Sequence, residues 1–240
     1  MQPCFELVVY WFVKTPVFNI MRHFLLTIFF IHFAFTFTAG AESQAGHRFE
    51  KEIAAYESAD KVSPPQQGAV VFTGASGIRL WKTLAQDFPG LTVINRGFGG
   101  SQMEDSVFFA ERIVIPYRPK AVVIQAGGND INAGKSPERV LADFQAWVKK
   151  VRAALPDVRL VYLGQGPSPA RWEQREKQQK ANALVREFIA TEKNMAFVDI
   201  WAACIGDDGL PRPEFYVADK LHPTEEQYRV RAKLIRTALE

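Results

Sequence analysis

Five short runs rich in valine and isoleucine punctuate the chain: AVVFT (69–73), LTVINR (91–96), KAVVIQAG (120–127), VRLVYLG (158–164) and NMAFVDI (194–200). None shows the apolar/polar alternation of a strand with one wet face, so each reads as a strand covered on both sides. The segments between them carry helical patterning, and strand-helix alternation of this kind builds a parallel sheet between two helix layers. At 240 residues the chain suits one such domain better than two.

The helices are marked by local signals. Ser136-Pro137 places an N-cap residue before a proline suited to the first helical position, and Pro156 closes that segment. The charged stretch 170–194 reads as one long helix. Thr224-Glu225-Glu226-Gln227 has capping-box spacing, predicting a helix that begins just after His222 and runs nearly to Glu240. Near the start, Phe49, Ile53 and Tyr56 form an amphipathic stripe. The expected fold class is therefore α/β: a three-layer α/β/α sandwich of flavodoxin-like type with a five-stranded parallel sheet and ligands at the carboxyl ends of the strands.

Residues 1–41 differ in composition from the rest. Met21, Arg22 and His23 form a short basic segment, Leu25 to Phe37 an apolar run, and Ala39-Gly40-Ala41 a small-x-small cleavage pattern. The run is shorter than the roughly 20 residues a membrane span takes. The expected organisation is a signal peptide over 1–41, with Met21 as the true start, followed by one domain over 42–240. That makes the protein exported, periplasmic or secreted; an uncleaved anchor over residues 5–37 is the alternative. Removing the leader removes Cys4 and leaves Cys204, so no internal disulfide is expected. The formal charge of +3 is spread along the chain, which argues against a nucleic-acid partner.

The polar residues able to do chemistry fall at the carboxyl ends of the runs. Ser76 follows the first, Gly99-Gly100-Ser101 the second, Gly128-Asn129-Asp130 the third, and Asp219 and His222 lie after the fifth. In a parallel sheet these ends share one rim. Of four histidines, His23 and His32 lie in the leader and His47 beside it, leaving His222 alone within the domain. A zinc site built on several histidines is thereby disfavoured, and no metal is expected. A serine hydroxyl needs a base, and His222 can supply it. Asp219, three residues earlier, can orient the imidazole. The Ser76 and Gly100 amides and the Asn129 side chain are the available donors for an oxyanion. Each motif taken singly also fits a plain turn or cap.

The blocks FTGASGIRLW, INRGFGGSQ, QAGGNDI and DKLHP resemble, in order and separation, the consensus blocks of the SGNH hydrolases, also called the GDSL esterase/lipase family. The resemblance covers about residues 47–240, and SPPQQGAVVFTGASGIRLW, RIVIPYRP and PSPARW look like its exported bacterial acylhydrolases. It implies Ser76 as nucleophile, His222 as base, Asp219 as third triad member, and Ser76, Gly100 and Asn129 as the oxyanion hole. It further implies hydrolysis of a small-molecule, carbohydrate or lipid ester through an acyl-serine, with no cofactor. The family's Gly-Asp-Ser is Gly74-Ala75-Ser76 here, followed by Gly77, which predicts weaker support and a looser turn around the nucleophile. The absence of a long apolar lid segment favours short acyl chains; Trp81, Trp172 and Tyr216 are candidate pocket walls, with core packing the more usual role of each aromatic taken singly.

Two rival readings remain. TGASG resembles the nucleotide loop of short-chain dehydrogenases, and Tyr216 to Lys220 matches their Tyr-x-x-x-Lys. Against it, the next expected glycine is Leu80, prolines disfavour a helix around YVADK, and no acidic residue closes the second run. The other is a relative that binds an ester or carbohydrate without turning it over.

Overall fold

The five apolar runs form five parallel strands in the order β2-β1-β3-β4-β5. They are β1 (Val70–Gly74), β2 (Val93–Gly97), β3 (Ala121–Gln125), β4 (Arg159–Leu163) and β5 (Met195–Val198). The computed structural model describes residues 47–240, of which Lys51–Glu240 cluster as one unit. The leader, its cleavage site and the alternative start at Met21 lie outside the described residues. Gly74 at the end of β1 pairs with Gly97 of β2 and Gln125 of β3, so the strands end level with one another and create a common carboxyl rim.

Eight α-helices among the described residues connect and cover the strands. They are α1 (Glu50–Val62), α2 (Ser76–Arg79), α3 (Leu84–Asp87), α4 (Met103–Ile113), α5 (Gly128–Asn132), α6 (Pro137–Ala154), α7 (Arg175–Ala190) and α8 (Glu225–Leu239). Helices α4, α6 and α7 pack side by side, and α8 packs on β4 and β5. Strand side chains alternate between the layers. Val70, Phe72, Val123, Val161 and Leu163 share a core with Tyr228, Ala232 and Ile235 of α8. Tyr162, between Val161 and Leu163, instead meets Phe144 of α6, with ring centroids 4.8 Å apart. The central strands β1 and β3 are buried at every position, as apolar runs in the middle of a parallel sheet require.

Helix α6 begins as its sequence predicts: the Ser136 hydroxyl accepts a hydrogen bond from the Arg139 amide at 3.2 Å, and Pro137 is the first helical residue. Helix α8 forms half of its capping box. The Thr224 hydroxyl accepts from the Gln227 amide, but the Thr224 amide donates to the Phe215 carbonyl, so the return bond is replaced by one that closes the preceding loop. The stretch 170–194 is not one helix. A 3-10 turn over Pro169–Gln174 precedes α7, with Arg171 at φ −128°, ψ 24°, outside the helical region. Residues Tyr216 to Lys220 are irregular, which removes the helix that the dehydrogenase reading requires.

Candidate active site

Strand β1 hands over to α2 through a turn built on Gly74. Its φ is +112°, and a Cβ there would lie 2.1 Å from the Gln125 carbonyl oxygen, so only glycine fits. The Ala75 amide donates to that same carbonyl at 2.9 Å, and Ser76 then opens α2. On the other side of the rim, the loop before α8 folds tightly. The Val217 amide donates to the His222 carbonyl, the Lys220 amide to the Val217 carbonyl, and Lys220 takes φ 58°.

These two turns bring the predicted residues together. His222 Nε2 lies 2.9 Å from Ser76 Oγ, and His222 Nδ1 lies 2.6 Å from Asp219 Oδ2. Asp219 Oδ1 also accepts the Leu221 and His222 amides, each at 2.9 Å. The His222 amide, the His222 ring and the Leu221 amide together hold the Asp219 carboxyl at about 2, well below the usual carboxylate range. An ionised carboxylate on Nδ1 favours the tautomer whose Nε2 lone pair faces the serine hydroxyl.

The donor side is assembled from β2 and β3. Ser76 is the first residue of its helix, and its amide makes no hydrogen bond among the described residues; nor does the amide of Gly100, which stands exposed at φ +80°. Asn129 lies in α5, whose N-cap Gly127 has φ 112°. One Asn129 amide hydrogen goes to the Ser101 carbonyl at 2.9 Å, which ties it to the Gly99-Gly100 turn, and the other remains available. Asp130 anchors the same junction: both its oxygens accept the Met103 amide at the start of α4, and Lys135 pairs with it at 3.3 Å. Burial pushes the Asp130 carboxyl up, and Lys135 and the Met103 amide oppose that shift.

Ser76, Asn129 and His222 line one cavity of about 80 Å³, while Gly100 is not among its lining residues. Sequence reading missed several residues that are. Arg171 donates through Nη2 to Asn129 Oδ1 at 3.0 Å, fixing which end of that amide faces the cavity. Arg231, on α8, donates through Nη1 to Gln125 Oε1 at 2.9 Å, and Gln125 Nε2 donates to the Gly164 carbonyl. The available signals were the arginine of PSPAR in the loop following the fourth strand and an arginine on the buried stripe of α8 beside Tyr228 and Ala232.

Gly77 and Ala75 each shape the nucleophile turn. At Gly77 a Cβ would lie 2.5 Å from Gln125 Oε1 and 3.3 Å from Arg231 Nη1, so the missing side chain makes room for that buried pair. Ala75 leaves α2 without a side-chain cap, yet its main chain holds the turn, donating to Gln125 and accepting from the Ile78 and Arg79 amides. Of the candidate wall aromatics, Trp81 is core, 1% exposed and stacked on Tyr228. Tyr216 lines the cavity, and with Trp172 it also lines a neighbouring groove of about 410 Å³.

A hydroxyl, an imidazole and a carboxylate thus stand in series beside unengaged amides at the carboxyl rim of a parallel sheet, an arrangement in which the imidazole can take the hydroxyl proton. The chain belongs to the GDSL-like lipase/acylhydrolase family, whose pattern it matches over residues 63–230. It is similar to platelet-activating factor acetylhydrolase IB subunit alpha1, 32% identical for the Pongo abelii protein and 31% for the Homo sapiens protein over 159 residues. The matched segment is 61% of this chain and 65% of those relatives, less than two thirds of their length. Among solved structures, a GDSL-like lipase from Bacteroides thetaiotaomicron superposes with a TM-score of 0.66 at 22% identity, covering 78% of this chain and 96% of the other. An acetylxylan esterase from Geobacillus stearothermophilus gives 0.60 at 18% identity, covering 73% and 95%. These two likenesses establish the fold.

Proposed function

We propose that the protein is an exported serine esterase that hydrolyses short-chain carboxylic esters through an acyl-serine intermediate. The observation that carries this reading is the continuous series Asp219–His222–Ser76, with contacts of 2.6 and 2.9 Å. Ser76 Oγ attacks the ester carbonyl as His222 Nε2 takes its proton, and Asp219 holds the imidazole and stabilises the imidazolium. The carbonyl oxygen, now negative, is met by the Ser76 and Gly100 amides and by the free Asn129 amide hydrogen. His222 returns the proton to the leaving alcohol; water then attacks the acyl-serine by the same route and releases the acid. None of these steps needs a metal or organic cofactor.

The preference for short acyl groups is supported by the cavity beside Ser76. At about 80 Å³ it holds several waters or a small acyl group, since one water takes roughly 10–15 Å³ by the same measure. Relatives named as acetylhydrolases point the same way. The test is hydrolysis of 4-nitrophenyl acetate, butyrate and octanoate by the protein and by Ser76→Ala. The reading expects acetate and butyrate to be turned over, octanoate to be slow, and Ser76→Ala to be inactive on all three. Equal rates from both proteins would overturn it. N-terminal sequencing of protein from the native host tests export, with Glu42 expected as the first residue.

A further inference from the structure

Two guanidinium groups line the cavity that holds Ser76 and His222, and among the described residues neither pairs with a carboxylate. Arg171 spends Nη2 on Asn129, and its other amino group lies over Gly128, 3.6 Å from where a Cβ would stand there. Arg231 is 6% exposed. It donates Nη1 to the neutral Gln125, lies 5.5 Å from the Tyr228 ring centroid, and buries an Nε that donates to nothing.

A buried cation without a counter-charge is costly, and the cost is recovered when an anion enters. The carboxylate in the site cannot serve, because Asp219 is engaged by His222 and Leu221 on the solvent side. Guanidinium forks match planar carboxylates, and an apolar acyl group would leave both guanidinium groups without an anionic partner. The geometry points to an anion subsite: the ester substrate carries a carboxylate, in its acyl or its alcohol part, that seats against Arg171 and Arg231. This rests on the esterase reading and narrows its substrate class.

The test pairs charged and neutral esters. Mono-4-nitrophenyl glutarate against its methyl ester places the carboxylate in the acyl part; 4-acetoxybenzoate against its methyl ester places it in the alcohol. In at least one pair the charged ester is expected to exceed the neutral one by about tenfold in kcat/KM at low salt, with the advantage shrinking as salt is added. Arg171→Gln should lower that charged-to-neutral ratio about tenfold, and misplacement of Asn129 cancels because both esters feel it. Ratios near one in both pairs, or a ratio unchanged in Arg171→Gln, would overturn the subsite. Arg231→Met adds a second arm, and its failure to fold would leave the Arg171 comparison standing. Should no ester be hydrolysed, the esterase reading fails separately, and calorimetry on Ser76→Ala decides the subsite. Tighter binding of monomethyl glutarate than of dimethyl glutarate supports it, and equal binding overturns it.

Discussion

His222 Nε2 stands 2.9 Å from Ser76 Oγ although 146 residues separate them. The contact depends on two turns at one rim of the sheet, and the imidazole is held from behind by Asp219. Asp219→Asn keeps the shape but removes the charge and favours the wrong ring tautomer. Its kcat is expected to fall by on the order of 10³ to 10⁴-fold with little change in thermal midpoint. A variant with full activity would remove Asp219 from the mechanism.

The Asp219 carboxyl is held at about 2 by its hydrogen bonds from His222 and Leu221, below the roughly 3.9 of an unfolded chain. Its ionised form therefore contributes stability that is fully present above the unfolded value and is lost as pH falls through about 2. That contribution is modest because the carboxylate is half exposed. The pH profile of kcat/KM should accordingly show no ionisation of Asp219 above about pH 3. An acid-side ionisation above that pH that disappears in Asp219→Asn would contradict it.

Gly77 faces the buried Gln125–Arg231 pair with no room for a methyl group. Gln125 is tied at both ends of its amide, to Gly164 and to Arg231, so it has little freedom to withdraw. Gly77→Ala is expected to destabilise the protein by about 1–3 kcal/mol and to lower activity through the adjacent Ser76. Denaturant titration checks it, and an unchanged midpoint would mean the pair yields freely.

Ala75 caps α2 without a side-chain acceptor, at φ −83° and ψ −163°, a backbone conformation that suits an aspartate. Ala75→Asp would offer a carboxylate to the first-turn amides and should raise stability by about 1 kcal/mol with hydrolysis retained. A lower midpoint in thermal unfolding would show that the neighbouring groups reject the charge.

Strands β1 and β3 were legible because a parallel strand buried on both faces leaves an apolar run, whereas β2 and β5, partly exposed, were legible from their place in the strand-helix alternation. The starts of α6 and α8 were legible because Ser136 and Thr224 act within their own turns. Ser76, Asn129, Asp219 and His222 could be placed at the rim because each follows a strand. Contacts made across the rim left weaker marks. Charge periodicity does not distinguish a 3-10 turn from an α-helix, so the break that lets Arg171 reach Asn129 was hidden in 170–194. Arg231 shares a helical face with Tyr228 and Ala232, but a helical period says which face a residue is on and nothing about what it meets there. Gly77 read as slack because its partners, Gln125 and Arg231, are distant in sequence.

The most direct test of the central claim is covalent. The protein and His222→Ala are treated with a fluorophosphonate, and the labelled residue is identified by peptide mass spectrometry. The account predicts one adduct, on Ser76, that forms rapidly in the protein and is largely lost in His222→Ala. No adduct, an adduct on another residue, or equal labelling of the variant would contradict it.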